Sequence, residues 1–183
     1  MTLPGFDGLT SLPVLQHLDL VAPTVASTLA TWPRAEEVAV VEIDPDLADT
    51  AALTEAYALP LEASANCVLV AGSRGGEERI AACVVAADTR ADVNTTVRKL
   101  LDVRKASFLS IDRAVEESGM EYGGITPIGL PDVWRVLVDA ALMTVPAAMI
   151  GSGVRRSKII LSGSALGDIP GAEVVEGLGR PTG

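Results

Sequence analysis

The sequence is poor in the side chains that most often carry metal or acid–base chemistry. His17 is its only histidine, and Cys67 and Cys83 are its only cysteines. A His-based metal site or a catalytic triad is therefore almost excluded, and we expect no metal and no organic cofactor. The two cysteines have neither the spacing of a zinc site nor that of a disulfide framework. They are typical of small core residues in a reducing compartment, with a redox pair as the less favoured alternative.

Two glycine-rich segments remain as places where backbone groups could bind a substrate. Residues 72–76 (GSRGG) lie between two apolar runs. Because no helix follows them, as a phosphate-binding loop would need, we interpret them as a hairpin turn. Residues 123–130 (GGITPIGL) form the second segment, and on their residue types alone a structural turn is the favoured interpretation.

Composition indicates one folded domain, which we assign to residues 1–183. The chain is 49% hydrophobic but only 3% aromatic, so the core must be aliphatic and stacking on single-stranded nucleic acid is excluded. The formal net charge of −10 excludes a generic polyanion binder, although a local basic patch stays open. We interpret the clustered basic residues as ordinary solvated surface, with contact to a polyanionic partner as the alternative. These residues are Arg98, Lys99, Arg104, Lys105, Arg155, Arg156 and Lys158.

The N-terminus lacks the basic and apolar segments of a signal peptide. The longest apolar stretch, residues 136–150, contains Asp139 and Pro146 and is too short to span a bilayer. We therefore expect a soluble cytoplasmic protein that binds neither membrane nor DNA.

Hydrophobic patterns predict strands and helices in mixed order. Residues 66–71 and 80–87 are largely apolar at both odd- and even-numbered positions, which is typical of strands covered on both faces. Asp92 has the position of an N-cap for a following helix, and Gly119 closes a short helix over residues 112–118. A further helix is predicted over residues 50–58, and further strands over residues 38–43, 106–110, 133–138, 147–151 and 157–161. The absence of a strict β-α-β alternation favours an α+β class with a mixed sheet.

From about residue 50 to 177 the order of the predicted strands, helices and loops resembles that of the YbaK / prolyl-tRNA-editing-associated family. Residues 66–72 (NCVLVAG) stand where that family has a Lys-Thr-Leu-Val-like strand followed by glycine. Residues 123–130 match its Gly-Gly-(Val/Ile)-(Ser/Thr)-Pro-x-Gly loop, and residues 135–139, 149–153 and 157–161 follow in the expected order. Residues 1–49 are interpreted as an acidic N-terminal part of the same domain.

The resemblance implies a mixed-sheet pseudo-barrel flanked by helices, with a pocket at the glycine–proline loop. In that family the pocket takes the aminoacylated 3′ end of a mischarged tRNA, and the aminoacyl ester is hydrolysed. Glycine amides can approach the acyl oxygen closely and stabilise its developing charge, while proline stiffens the loop. The implied catalytic residues are Asn66, Gly123 and Thr126. The implied substrate-binding residues are Gly124, Ile125, Pro127, Asp139, Gly151, Ser152 and Gly153.

One position departs from the family pattern, because Asn66 stands where the family has its characteristic lysine. Asparagine can donate a hydrogen bond but supplies no charge. Three functions therefore stay open. The first is a free-standing aminoacyl-tRNA deacylase, with prolyl-tRNA as one candidate substrate. The others are a non-catalytic protein that binds aminoacyl-tRNA or a nucleotide-like ligand, and a hydrolase of another small aminoacyl ester. Purely structural roles also stay open for Asn66, for Thr126 within its loop, and for Asp139 as a cap.

Overall fold

The computed structural model describes residue 6 and residues 8–182. Within these residues the strands are β1 (Ser11–Pro13), β2 (Ala39–Glu42), β3 (Ala65–Arg74), β4 (Glu77–Ala86), β5 (Thr89–Ala91), β6 (Ala106–Phe108), β7 (Arg135–Asp139), β8 (Ala148–Gly151), β9 (Ser157–Leu161), β10 (Ala172–Val175) and β11 (Gly179–Pro181). The α-helices are α1 (Pro23–Leu29), α2 (Thr50–Tyr57), α3 (Arg98–Leu100), α4 (Ile111–Ser118) and α5 (Gly163–Gly167). A π-helical segment (Val93–Val97) leads into α3. The 3-10 helices are Val14–Gln16, Leu18–Leu20, Pro33–Glu37, Pro45–Leu47, Leu61–Ala63 and Ala140–Thr144.

The strands form three sheets. The first has the order β1-β2-β9-β8 and is antiparallel throughout. The second has the order β10-β7-β4-β3-β6, with parallel pairing from β10 to β4 and antiparallel pairing from β4 to β6. Strands β11 and β5 form the third. The predicted α+β class with a mixed sheet is confirmed, and in the part of the chain described here the sheets are open rather than closed into a barrel.

The predicted hairpin is formed by β3 and β4, whose register runs from Ala65 opposite Ala86 to Arg74 opposite Glu77. The turn itself is shorter than predicted, because Gly72 is still paired within the strands. A Cβ on Gly72 would lie 2.5 Å from the Lys105 carbonyl oxygen. This glycine therefore permits close backbone packing, and only Gly75 and Gly76 make the turn.

The long hairpin is buried on both faces, as its sequence predicts. One parity of β4 packs in the core between the two larger sheets, where Val84 meets Ile150 and Ile159. The other parity, with Cys83, packs against Val97 of the π-helical segment.

The predicted ends of the helices are also found. The Asp92 carboxylate accepts a hydrogen bond of 3.3 Å from the Thr95 amide, and Gly119 ends α4 with a φ of 68°. A parallel bridge between Ser64 and Met149 joins the start of β3 to β8, where the two sheets meet. No helix within residue 6 and residues 8–182 has the length and apolar character needed to cross a membrane.

Candidate functional site

A cavity of about 270 Å³ opens at this junction of the two sheets. Its walls are the start of β3, the end of β8, the start of β9, the first turn of α2 and the loop that contains Gly123. Its polar lining residues are Asp49, Thr50, Ser64, Asn66, Tyr122 and Lys158. The cavity therefore collects groups from five separate parts of the chain.

The glycine loop forms one wall through a tight turn. The Gly124 amide donates a hydrogen bond of 2.9 Å to the Glu121 carbonyl, and Gly123, the third residue of that turn, has a φ of 82°. Only glycine adopts this conformation without strain. The Gly123 amide has no hydrogen-bond partner among the described residues, so it is free to bind a ligand.

The same loop is held against the segment that follows β8. A Cβ on Gly124 would lie 2.6 Å from the Val154 carbonyl oxygen, and one on Gly151 would lie 2.3 Å from the Gly124 carbonyl oxygen. The Gly153 amide donates to that same oxygen over 2.7 Å. Glycines in both segments thus let the two backbones approach, and the contact fixes the cavity wall.

Asn66 lies at the start of β3 and lines the cavity. The Thr50 hydroxyl donates a hydrogen bond of 2.7 Å to Asn66 Oδ1. This bond orients the amide group. Its nitrogen has no partner among the described residues and is available to donate to a ligand.

Lys158 supplies the positive charge that Asn66 lacks. Its side chain is 6% exposed, and its ammonium donates to the carbonyl oxygens of Ala48 at 2.7 Å and Gly123 at 3.0 Å. Burial lowers the pKa of Lys158 to about 8, while nearby Asp49 opposes this shift and Arg155 adds to it. The sequence interpretation of Lys158 as solvated surface is therefore wrong. The sequence gives little signal for this burial, because Lys158 follows two arginines and a serine at the start of β9.

Ser64 is a second group that sequence reasoning missed. It lines the cavity and is 4% exposed, yet its hydroxyl has no hydrogen-bond partner among the described residues. A buried hydroxyl without a partner costs about 1–3 kcal/mol, so such groups are uncommon unless water or a ligand satisfies them.

The cavity contains no activated thiol. Cys67 lines it, but burial raises the pKa of this thiol, and burial also raises the pKa of Cys83 to about 12. Both cysteines are unbridged, and they lie on neighbouring strands as predicted. Across the described ranges, no cluster of His, Cys, Asp and Glu side chains has the arrangement that a metal ion needs.

Four of the ten residues singled out from the sequence line this cavity: Asn66, Gly123, Ile125 and Gly151. Four others do not line the cavity but follow lining residues closely along the chain. Gly124 and Gly153 make the backbone contacts given above. Thr126 is fully buried and its hydroxyl has no partner among the described residues. The Ser152 hydroxyl lies 2.9 Å from the Ser157 carbonyl oxygen.

The remaining two residues lie elsewhere. Pro127 lines a separate cavity of about 170 Å³ together with Thr28 and Trp134. Asp139 is 4% exposed, and its carboxylate accepts hydrogen bonds from the amides of Ala141 at 3.3 Å and Gly179 at 2.9 Å. Asp139 thus caps the segment after β7, which agrees with the capping role left open above.

With this geometry in view, comparisons with known proteins are informative. A family model for the aminoacyl-tRNA editing domain matches residues 44–169, which is more than two thirds of the chain. The chain belongs to this aminoacyl-tRNA editing family. The matched segment begins just before α2 and contains every residue that lines the cavity.

Solved structures show the same fold at low sequence identity. One is described as a proposed trans-editing enzyme for prolyl tRNA synthetase; it is 18% identical with a TM-score of 0.70, over 85% of this chain and 97% of that one. A hypothetical protein, APE2540, is also 18% identical with a TM-score of 0.74, over 86% and 99%. A proposed signal transduction protein from Marinobacter aquaeolei VT8 is 14% identical with a TM-score of 0.51, over 92% of this chain and 31% of that one. A search of curated proteins gives no match.

Proposed function

We propose that this protein hydrolyses the ester bond between a wrongly attached amino acid and the 3′ end of a tRNA. The observation that carries the proposal is the cavity that brings Lys158, Asn66 and the Gly123 backbone together. Membership of the aminoacyl-tRNA editing family supports the substrate class. The structural likeness to a proposed trans-editing enzyme for prolyl tRNA synthetase makes mischarged tRNA(Pro) the first substrate to test.

The reaction needs little from the protein beyond binding and charge stabilisation. Water adds to the acyl carbon, and negative charge develops on the acyl oxygen. The bond from the acyl carbon to the ribose oxygen then breaks, and that oxygen leaves with a proton that comes from the attacking water. The products are the free amino acid and a tRNA with its terminal hydroxyl restored. Hydrogen-bond donors placed at the acyl oxygen lower the barrier to this sequence.

Lys158 and the glycine loop provide these donors. Because its pKa is about 8, the Lys158 side chain is mainly an ammonium at pH 7. Two of its three N–H groups donate to the Ala48 and Gly123 carbonyls, which leaves one for the acyl oxygen. The free Gly123 amide is a second donor on the same wall. In this way a lysine on β9 brings a positive charge to the cavity that Asn66 also lines.

The non-catalytic alternative rests on Asn66, whose amide can bind a ligand but adds no charge. Both proposals predict binding of an aminoacylated 3′ end, and only the first predicts turnover. The deciding measurement is the loss of ester from tRNA(Pro) charged with alanine or cysteine, followed with purified protein. Ligand binding without turnover would favour the binding protein.

Replacement of Lys158 tests the chemical role directly. We expect Lys158→Met to lower kcat/KM for deacylation by about 100-fold, since removal of one charge-stabilising donor costs a factor of this order in other sites. Lys99→Met is the matched control, because Lys99 is an exposed lysine outside the cavity. Equal activity of the two variants, with unchanged circular dichroism spectra, would rule out this role.

A further inference from the structure

The cavity contains a carboxylate that the proposed hydrolysis does not use. We propose that Asp49 binds the α-ammonium group of the aminoacyl ester, so that the site selects esters with a free amine over those with a neutral or acylated one. This inference rests on the proposed function, because it assigns the aminoacyl group to this cavity. It adds a specificity residue and narrows the substrate class.

The Asp49 carboxylate is not committed to any other group. Asp49 occupies the N-cap position of α2, where an aspartate commonly accepts a hydrogen bond from the first turn of the helix, but its side chain makes no such bond. The residue is exposed, and within residue 6 and residues 8–182 it forms no ion pair. Because the Asp49 side chain neither caps the helix nor forms an ion pair, its negative charge is available to a ligand.

The position of the carboxylate relative to the glycine loop fits this role. Asp49 lines the cavity, and its Oδ1 lies 3.6 Å from the point that a Cβ on Gly123 would occupy. Gly123 is also the residue whose free amide is proposed to bind the acyl oxygen. In an aminoacyl ester the amine is attached to the carbon next to the acyl carbon. An acyl group held at Gly123 therefore brings its ammonium within reach of Asp49.

The two cations nearest to this carboxylate have other partners. Lys158 donates to the Ala48 and Gly123 carbonyls, and Arg155 donates to the carbonyls of Tyr122 at 3.1 Å and Pro45 at 2.8 Å. Asp49 raises the pKa of Lys158 through the attraction between their charges, but the two side chains form no ion pair among the described residues. The carboxylate thus faces a site where a second, ligand-borne cation would be stabilised.

A neutral analogue of nearly the same size tests the inference. Alanyl-tRNA(Pro) is compared with lactyl-tRNA(Pro), in which a hydroxyl replaces the ammonium, on the wild-type protein and on Asp49→Asn. We expect the wild type to prefer the alanyl ester by about tenfold or more in kcat/KM. Asp49→Asn should hydrolyse the alanyl ester more slowly and the lactyl ester at an unchanged rate. The preference should therefore fall to the part that comes from the greater intrinsic reactivity of the ammonium-bearing ester. Glu55→Gln is the matched control, since it removes the same charge from an exposed position of α2.

The design separates direct binding from an effect transmitted through Lys158. If Asp49 acted only by keeping Lys158 charged, both esters would be hydrolysed more slowly by Asp49→Asn and their ratio would not change. An unchanged ratio, or a wild type that treats both esters alike, overturns the inference while the proposed hydrolysis stands.

Binding measurements make the test independent of turnover. Adenosine analogues that carry alanine or lactate on a 3′-amide, which resists hydrolysis, are titrated by calorimetry. Tighter binding of the alanyl analogue to the wild type, and equal binding of both to Asp49→Asn, support the inference even if no ester is hydrolysed. Absence of turnover would then count against the proposed function alone. Equal binding of the two analogues to the wild type, or no binding of either, overturns the inference.

Discussion

The cationic side chains near the two ends of the β3–β4 hairpin differ in burial: those at the turn are at the surface, whereas Lys158 of β9, at the other end, is buried. The two ends are separated by about 25 Å, the length of eight residues in a strand. At the turn end, Arg74 forms an exposed ion pair with Asp102, and Arg79 lies 3.3 Å from the same carboxylate. At the cavity end, Lys158 is buried and donates to backbone carbonyls, and no carboxylate of the described residues lies within 4.0 Å of it.

The two kinds of charge differ in what they contribute to the stability of the fold. Exposed ion pairs contribute about 0–1 kcal/mol, because solvent screens them and ordering both side chains costs entropy. A buried ammonium without an ionic partner is unfavourable, as the lowered pKa of Lys158 shows. The charge at the cavity end therefore fits the ligand-binding role proposed above, whereas the ion pair at the turn end contributes little to stability.

The largest expected effect on folding comes from the glycine contact that forms the cavity wall. Gly151→Ala should lower the free energy of unfolding by about 3 kcal/mol, because the added methyl group would meet the Gly124 and Ile125 carbonyl oxygens at 2.3 and 2.5 Å. At the turn end, Gly75→Ala meets no atom within 4 Å and is strained only by its φ of 62°, for a cost of about 1 kcal/mol. Denaturant titration of both variants measures the difference. Equal costs would mean that the wall is not tightly packed.

Titration of Lys158 should produce the next effect. Its pKa is about 8 in the folded protein and near the ordinary value of 10.5 in the unfolded chain, so the unfolded state binds more protons between these values. Stability should therefore rise with pH across this window, by about 2 kcal/mol between about pH 7.5 and 10 relative to Lys158→Met. Chemical denaturation at several pH values measures it. A flat difference between the two proteins would show that the amine is solvated.

Ser64→Ala tests whether the Ser64 hydroxyl contributes to substrate binding rather than to the stability of the fold. Because the Ser64 hydroxyl has no partner among the described residues, its removal should leave stability unchanged or raise it by about 1 kcal/mol. Substrate KM should rise several-fold. The control is Ser118→Ala, since the Ser118 hydroxyl donates to the Ala114 carbonyl at 2.5 Å and its loss should destabilise by about 1 kcal/mol. A clear loss of stability in Ser64→Ala would contradict the ligand role.

The smallest effect is expected at the turn end. Arg74→Gln removes one member of an exposed ion pair, with side-chain exposures of 58% and 60%. Its free energy of unfolding should change by less than about 0.5 kcal/mol, and deacylation should be unaffected. Thermal unfolding and the deacylation assay together check this. A marked loss of activity would indicate that the substrate extends along the hairpin to the turn.

Much of the fold could be predicted because the responsible signals are local. Apolar residues at both odd- and even-numbered positions of the two hairpin strands predicted burial on both faces. Asp92 and Gly119 correctly predicted where helical segments begin and end. The hairpin turn was placed too broadly because Gly72 serves a contact with Lys105, which the sequence around the turn does not reveal.

The site was predicted only in part, for a physical reason. Asn66, Gly123, Ile125 and Gly151 could be found because motif residues stand at recognisable positions in the chain. Whether a side chain or a backbone carbonyl then faces a cavity depends on how separate segments pack. Thr126 and Pro127 belong to the same loop as Gly123, yet neither lines its cavity: Thr126 is fully buried, and Pro127 lines a different cavity.

The sequence by itself determined an aliphatic core, the α+β class, most of the strands and helices between residues 38 and 161, and the glycine loop. Each of these depends on residue types and periodicity within short segments. Only the tertiary structure decided that Lys158, Asp49 and Ser64 share one cavity. Burial, the lowered pKa of Lys158 and the unused carboxylate of Asp49 arise from contacts between segments up to about a hundred residues apart, and such contacts exist only after the sheets have packed.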